Sequence, residues 1–250
     1  MSQNTKFNAA ILIIGNEILS GRTQDTNTST IAQWLNSIGV KVNEVRVIQD
    51  IENTIIETVN HLRKVNNYVF TTGGIGPTHD DITAQSISKA FNLEYEIHKE
   101  AFKILEAYYK VGEFNEGRKK MAKMPKNSSL ILNPSSGAPG FKIKNIFCLP
   151  GVPIILKSML PNISKYLDKG SVVISKSISL HTVESNIALQ LGRIQKKFNN
   201  KVDIGSYPFF RLGKVGVSIV LRTSSKSILN KCLLDVKKMV KKKKIKLFKR

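Results

Sequence analysis

Apolar residues along the first ninety positions fall into alternating short blocks and helical stripes. Phe7 to Ile14 is almost continuously apolar and ends at Gly15, the pattern of a strand buried on both faces. Ile31, Leu35 and Ile38 recur at helical spacing, with Asn27 or Thr28 placed to cap that helix and Gly39 to end it. Val40 to Ile48 predicts a second strand with Val40, Val42, Val45 and Val47 as its apolar positions. Ile51 to Val65 predicts a second helix, Tyr68 to Thr72 a third strand, and Ile82 to Phe91 a third helix. Strands alternating with helices of this length imply a parallel sheet covered on both faces.

Beyond this point the pattern changes. Residues 98–124 carry helical stripes, first Ala101, Ile104, Leu105 and Tyr108, then a basic segment from Asn115 to Met124. Arg118, in that segment, is read as part of a solvated face or as a phosphate contact. Pro125 opens a β-rich stretch: a strand at 129–132, a hairpin of 141–143 with 146–149 around Lys144-Asn145, then a helix over 154–160. From Ser171 the order is β-α-β-β-α, with a last helix over 227–243. Gly213-Lys-Val-Gly216 joins two strands there, so it predicts a hairpin turn rather than a nucleic-acid clamp. The expected organisation is a three-layer α/β domain over 1–169 and a smaller, basic α+β domain over 170–250.

Chemistry concentrates where strands end. A glycine turn, Gly73-Gly74-Ile75-Gly76-Pro77, follows Thr72 at the end of the third strand and precedes a helix, an arrangement that presents backbone N–H groups to an anion. Asp80 and Asp81 follow it directly. Carboxylates beside a phosphate site call for a cation between them, usually Mg²⁺, although Asp80 also suits a helix cap and Asp81 the helix dipole. Glu17 and Asp50 likewise follow strand ends, which gathers four carboxylates toward the sheet edge where such folds bind ligands. Asn133-Pro-Ser-Ser-Gly-Ala-Pro-Gly140, with Ser135 and Ser136, and Leu149-Pro-Gly-Val-Pro153 are two further turns that can hold an anion or serve as connections.

The formal charge of +21 sits mostly in the last third. Residues 161–250 hold 21 Lys/Arg against 4 Asp/Glu, while residues 1–160 hold 18 against 14. Aromatics are not interleaved with these lysines, so a solvated face is expected and nucleic acid is not the expected partner. The longest apolar run, Ala9 to Ile14, is far too short for a membrane span, and the amino terminus has no signal-peptide core. Cys148 and Cys232 lie in apolar surroundings without metal-ligand spacing, as buried thiols of a cytoplasmic protein do.

These segments together resemble the molybdopterin-binding domain of the MoaB/Mog type. The residues that carry the resemblance are Gly15-Asn-Glu-Ile-Leu-Ser-Gly21 with Thr26-Asn27, Thr72 to Thr83, Asn133 to Phe141, and Leu149 to Pro153. Ile75 and Asp80 stand where the Mog type has Thr and Arg, and mark the form found in the amino-terminal half of CinA, the competence/damage-inducible proteins. The following unit resembles the small KH-like module of that family. The resemblance implies a pocket for a phosphorylated pterin or a nucleotide pyrophosphate, a homo-oligomer (dimer or trimer), and metal-dependent cleavage of ADP-ribose. It implies Asp81 as the characteristic loop carboxylate and Asp50 as the second acidic position. The family's nucleotide deamidase activity belongs to a separate carboxyl-terminal domain, so with the chain ending at Arg250 deamidation is not expected.

The expected site follows. Gly73, Gly74, Gly76, Thr72, Asn27, Ser135, Ser136, Gly137, Pro150 and Gly151 hold phosphate; Asp80 and Asp81 place Mg, Mn or Co; Asp50, Asp81 and Glu17 handle water. The alternatives are a module that holds molybdopterin without chemistry and a nucleic-acid binder using the basic unit.

Overall fold

The structure, a computed structural model, describes residues 7–211 and 213–248. The chain divides into two compact units, one running to Gly170 and the other beginning at Ser171.

The first unit is built on β1 (Phe7–Ile14), β2 (Val40–Ile48), β3 (Tyr68–Thr72), β4 (Tyr95–Ile97), β5 (Lys123–Pro125), β6 (Ser129–Ile131), β7 (Gly140–Ile143) and β8 (Ile146–Leu149). Its main sheet has the order β2-β1-β3-β8-β7-β6, and the short α1 (Asn16–Leu19) follows β1. β2, β1, β3 and β8 run parallel, and β7 is antiparallel to both β8 and β6. Alternation along β1 divides the core. Ala9, Ile11 and Ile13 face α2 (Asn27–Ser37) and α7 (Pro153–Ile163), while Ala10, Leu12 and Ile14 face α3 (Glu52–Val65), α4 (Thr83–Ala90) and α5 (Lys99–Tyr108). Phe70 and Phe147 stack at 4.9 Å between centroids in the first of these layers.

Three departures from the sequence pattern have local causes. The register of β1 with β2 shifts between Ala9 and Ala10, so a bulge sets Val45 and Val47 opposite Ile11 and Ile13, yet both stay exposed on this edge strand. Helical stripes over 98–124 end early: α5 is followed by the short α6 (Glu116–Lys120), and then β5 pairs antiparallel with β4. Asn27 does not cap α2. Asp25 does, its Oδ1 accepting from the N–H groups of Asn27 and Thr28 at 2.8 and 3.2 Å.

The second unit has β9 (Ile174–Leu180), α8 (Ala188–Phe198), β10 (Asp203–Arg211), β11 (Lys214–Thr223) and α9 (Lys226–Lys242). Its antiparallel sheet has the order β10-β11-β9. The β-α-β-β-α order is the one read from the pattern, and Gly213 lies in the tight β10–β11 hairpin. α8 and α9 cover one side, burying Leu191, Leu229, Cys232 and Val236 against Val217, Ile219 and Leu221.

Candidate active-site cleft

Strand polarity creates the site. Because β1, β2, β3 and β8 are parallel, the segments after Ile14, Ile48, Thr72 and Leu149 all emerge at one rim. β6 runs parallel to β8, so the 132–139 connection from β6 to β7 emerges there too. These segments enclose a cleft of about 570 Å³. Glu17, Asp50, Gly73, Gly74, Gly76, Asp80, Asp81, Ser136, Pro150 and Gly151 line it, and so are brought together. Thr72, Asn27, Ser135 and Gly137 stand behind or beside that lining.

The glycine turn is pressed onto its neighbours. Gly73 has φ +102°, and a Cβ there would lie 2.1 Å from the carbonyl oxygen of Ile14. Its N–H donates to Leu149 O at 3.1 Å, and its carbonyl accepts from Thr83 Oγ1 at 3.0 Å. Thr83 N–H donates to Gly74 O at 2.9 Å, which ties the turn to the start of α4.

Asn27 and Thr72 brace the turn that follows β8. Asn27 Nδ2 donates to Thr72 Oγ1 at 2.9 Å and to Gly151 O at 2.7 Å, and Thr72 Oγ1 donates to Pro150 O at 3.1 Å. Both side chains are buried. Beyond that turn α7 starts at the cleft with Pro153 in its first turn, no side-chain cap and no acidic residue there. Its positive dipole end is therefore not offset by its own first turn.

The 133–139 loop is organised by Asn133. Its Oδ1 accepts from the N–H groups of Ser135 and Ser136 at 2.9 and 3.1 Å, and its Nδ2 donates to Ser136 Oγ and to Ala138 O. Those two amides, expected to face an anion, are engaged within the loop. Ser135 Oγ pairs with Ser158 Oγ at 2.8 Å, and Gly137 lies against the ring of Tyr108. Ser136 is the residue of this loop's serine pair that reaches the cleft.

The carboxylates differ in state. Asp50 is half-buried, and its Oδ2 accepts from Asn16 N–H at 2.9 Å. Burial pushes its carboxyl above the ordinary 3.8; the Asn16 amide opposes this, and the charges of Glu17 and Asp80 push further upward. Asp80 is exposed and held below its ordinary value, first by the Thr78 hydroxyl and its own amide, with His79 and Lys120 adding. Asp81 folds back: its Oδ2 accepts from Thr78 N–H at 2.8 Å and from the Thr78 hydroxyl. Tyr95, in a small cavity beside Asp81, is shifted upward by burial and then by that charge. Among the described residues no three His, Cys, Asp or Glu side chains are gathered tightly enough to hold an ion by themselves.

A family model described as "probable molybdopterin binding domain" matches residues 10–169. The chain belongs to this family. Within it the chain is CinA-like. It is similar to a crystal structure titled as the protein CinA, with unknown function, from Thermoplasma acidophilum, at 32% identity and a TM-score of 0.60, covering 64% of this chain and 96% of that one. It is 31% identical to a competence-damage inducible protein of Clostridium botulinum, over 93% of this chain and 59% of that protein. A relative from Sulfurisphaera tokodaii is 42% identical over 76% of this chain and 77% of its own length. Residues 172–249 match a second model, "FAD synthase, middle domain".

Two residues in and beside this CinA-like cleft have roles that the sequence pattern did not reveal. Asn133 carried a usable signal, since Asn before Pro-Ser-Ser favours an Asx turn. Lys120 carried none. Its ammonium donates to Thr78 O, and so reaches the Thr78–Asp81 turn from α6, forty-two positions along the chain. Arg118 turns elsewhere, to the Glu113 carbonyl and over the Tyr109 ring at 4.1 Å.

Proposed function

We propose that the cleft binds a nucleotide pyrophosphate or a phosphorylated pterin and, with a divalent cation, hydrolyses the pyrophosphate of ADP-ribose-type substrates. The observation that carries this reading is that carboxylates and phosphate-suited backbone line one cleft. Glu17, Asp50 and Asp80 lie close enough that two of the charges are felt at the third. The glycine turn and the uncapped start of α7 line the same cleft and suit phosphate oxygens.

A cation fits this arrangement in a limited way. Mg²⁺ is ordinarily held by one or two carboxylates together with substrate phosphates and water, not by a full protein cage. Asp80, exposed and readily ionised, and Asp81 supply that number. When bound, Mg, Mn or Co would neutralise phosphate charge and acidify water. The remaining work falls to the chain. Asp50, whose raised pKa suits proton uptake, accepts a proton from the attacking water, with Glu17 orienting that water. The water oxygen bonds to one phosphorus, the bond from that phosphorus to the bridging oxygen breaks, and the bridging oxygen leaves on the other phosphate. ADP-ribose then gives AMP and ribose phosphate.

The family match supports a second reading, retention of a phosphorylated pterin without turnover. Calorimetric titration of the protein with molybdopterin and with ADP-ribose, each with and without Mn²⁺, separates the two. The hydrolase reading expects ADP-ribose binding that strengthens with the ion and weakens at least tenfold in Asp80→Asn. Tight pterin binding with no ADP-ribose signal contradicts it.

A further inference from the structure

The outer edge of β9 lies in the second unit and takes no part in the cleft chemistry. β9 pairs with β11 without register shift from Ile174 to Leu180. On its other side the segment after α9 begins a further strand. Phe248 N–H donates to Ser179 O at 2.8 Å, His181 N–H donates to Lys246 O at 2.9 Å, and Leu180 bridges to Leu247. In an antiparallel strand the N–H and C=O of one residue leave on the same side, and the side alternates. Ser179 and His181 point outward, so the main-chain groups of Ser175 and Ser177 do as well. Among the described residues they have no strand partner.

A groove of about 640 Å³ runs along this edge, beside α9. Ile178, Val240 and Ile245 give it apolar walls, and Lys237 and Lys241 stand exposed on its rim. The carboxylates of this unit are already engaged: Glu184 with Ser206, Asp203 with Arg222, Asp235 with Lys197. The rim lysines therefore face outward with no acid of their own unit opposite them among the described residues.

We propose that this edge takes an extended, acidic peptide segment of a partner protein, which adds a strand to β9 at Ser175 and Ser177 while its side chains meet the apolar walls and the rim lysines. Strand addition supplies main-chain hydrogen bonds, and the groove supplies selectivity. A second copy of this chain is disfavoured, because edge-to-edge pairing brings four rim lysines together. Nucleic acid lacks main-chain donors at strand spacing.

The test is fluorescence anisotropy of a fluorescein-labelled seven-residue peptide alternating glutamate and valine, titrated with the full chain. Saturable binding is expected, weakened at least tenfold by the pair Lys237→Glu and Lys241→Glu, and equally by Ser177→Pro. Proline at Ser177 removes an outward N–H and leaves the β11 ladder intact. N-methylation of alternate peptide amides is expected to cost the same and leaves the protein untouched, so the test holds even if the proline variant misfolds. No saturable binding, equal binding of a lysine–valine peptide, indifference to methylation, full displacement by single-stranded RNA, or dimerisation through this edge in sedimentation would each overturn the proposal.

Discussion

Asp50 is the residue on which function and stability pull apart. Its carboxyl is raised above 3.8, chiefly by burial. Ionising it in the folded chain is therefore harder than in the unfolded chain. The stability it contributes is fully present below the ordinary value and is lost as pH rises through the folded value. Asp50→Asn keeps an oxygen to accept the Asn16 amide but carries no charge. The expected outcome is an unchanged or higher melting temperature at pH 7, with the difference from wild type closing below about pH 4. Pyrophosphate cleavage is expected to fall by about 10²–10⁴-fold, the usual size of a general-base contribution. Thermal melts across pH, set beside turnover, check both. At this scale the sequence was informative wherever a residue type has few uses. Carboxylates and glycines at strand ends were legible as cleft residues. Asn27 and Thr72 were not legible as braces, because their burial depends on the β8 turn more than seventy positions away.

At the scale of elements, the cleft depends on how closely the glycine turn approaches the end of β1. Gly73→Ala sets a methyl 2.1 Å from the Ile14 carbonyl at φ +102°, and neither the strand nor the turn can yield cheaply. A loss of about 1–3 kcal/mol is expected from the backbone conformation alone. It would be read as a lower denaturant midpoint with an unchanged slope, and phosphate-ligand binding should fall with it. The alternating β-α order of the first ninety residues was legible because each element carries its own period. The exposure of Val45 and Val47 was not, since an apolar strand position does not show that its strand lies at the sheet edge. Pairing of β4 with β5 was hidden for a related reason: three-residue strands are too short to show a period.

For the whole molecule, each unit buries one thiol and so carries its own reporter. Cys148 lies in the main-sheet core, its pKa pushed up to about 12 by burial, and Cys232 lies in the α9 core, also raised, to about 11. Neither is expected to react with a disulfide reagent at pH 8 in the native protein. Under denaturant both should react, and two distinct midpoints for labelling would show that the units unfold separately; rapid labelling of the native protein would contradict the packing described. The charge imbalance was plain in the sequence, yet its use was not. Only the placement of Lys237 and Lys241 beside a strand edge that has no partner at Ser175 and Ser177 among the described residues turns basic composition into a surface with a direction. No helix among the described residues is long and apolar enough to cross a membrane.

The central claim is that the carboxylates and the glycine turn lining one cleft act together on a pyrophosphate. ³¹P NMR of ADP-ribose incubated with the protein and Mg²⁺, free of paramagnetic ions, tests it most directly. The account predicts that the paired pyrophosphate resonances give way to two phosphomonoester signals, with the ion required and with Asp50→Asn stopping the change. Pyrophosphate signals that persist unshifted at saturating protein and ion, or an Asp50→Asn variant that cleaves at the wild-type rate, would contradict it.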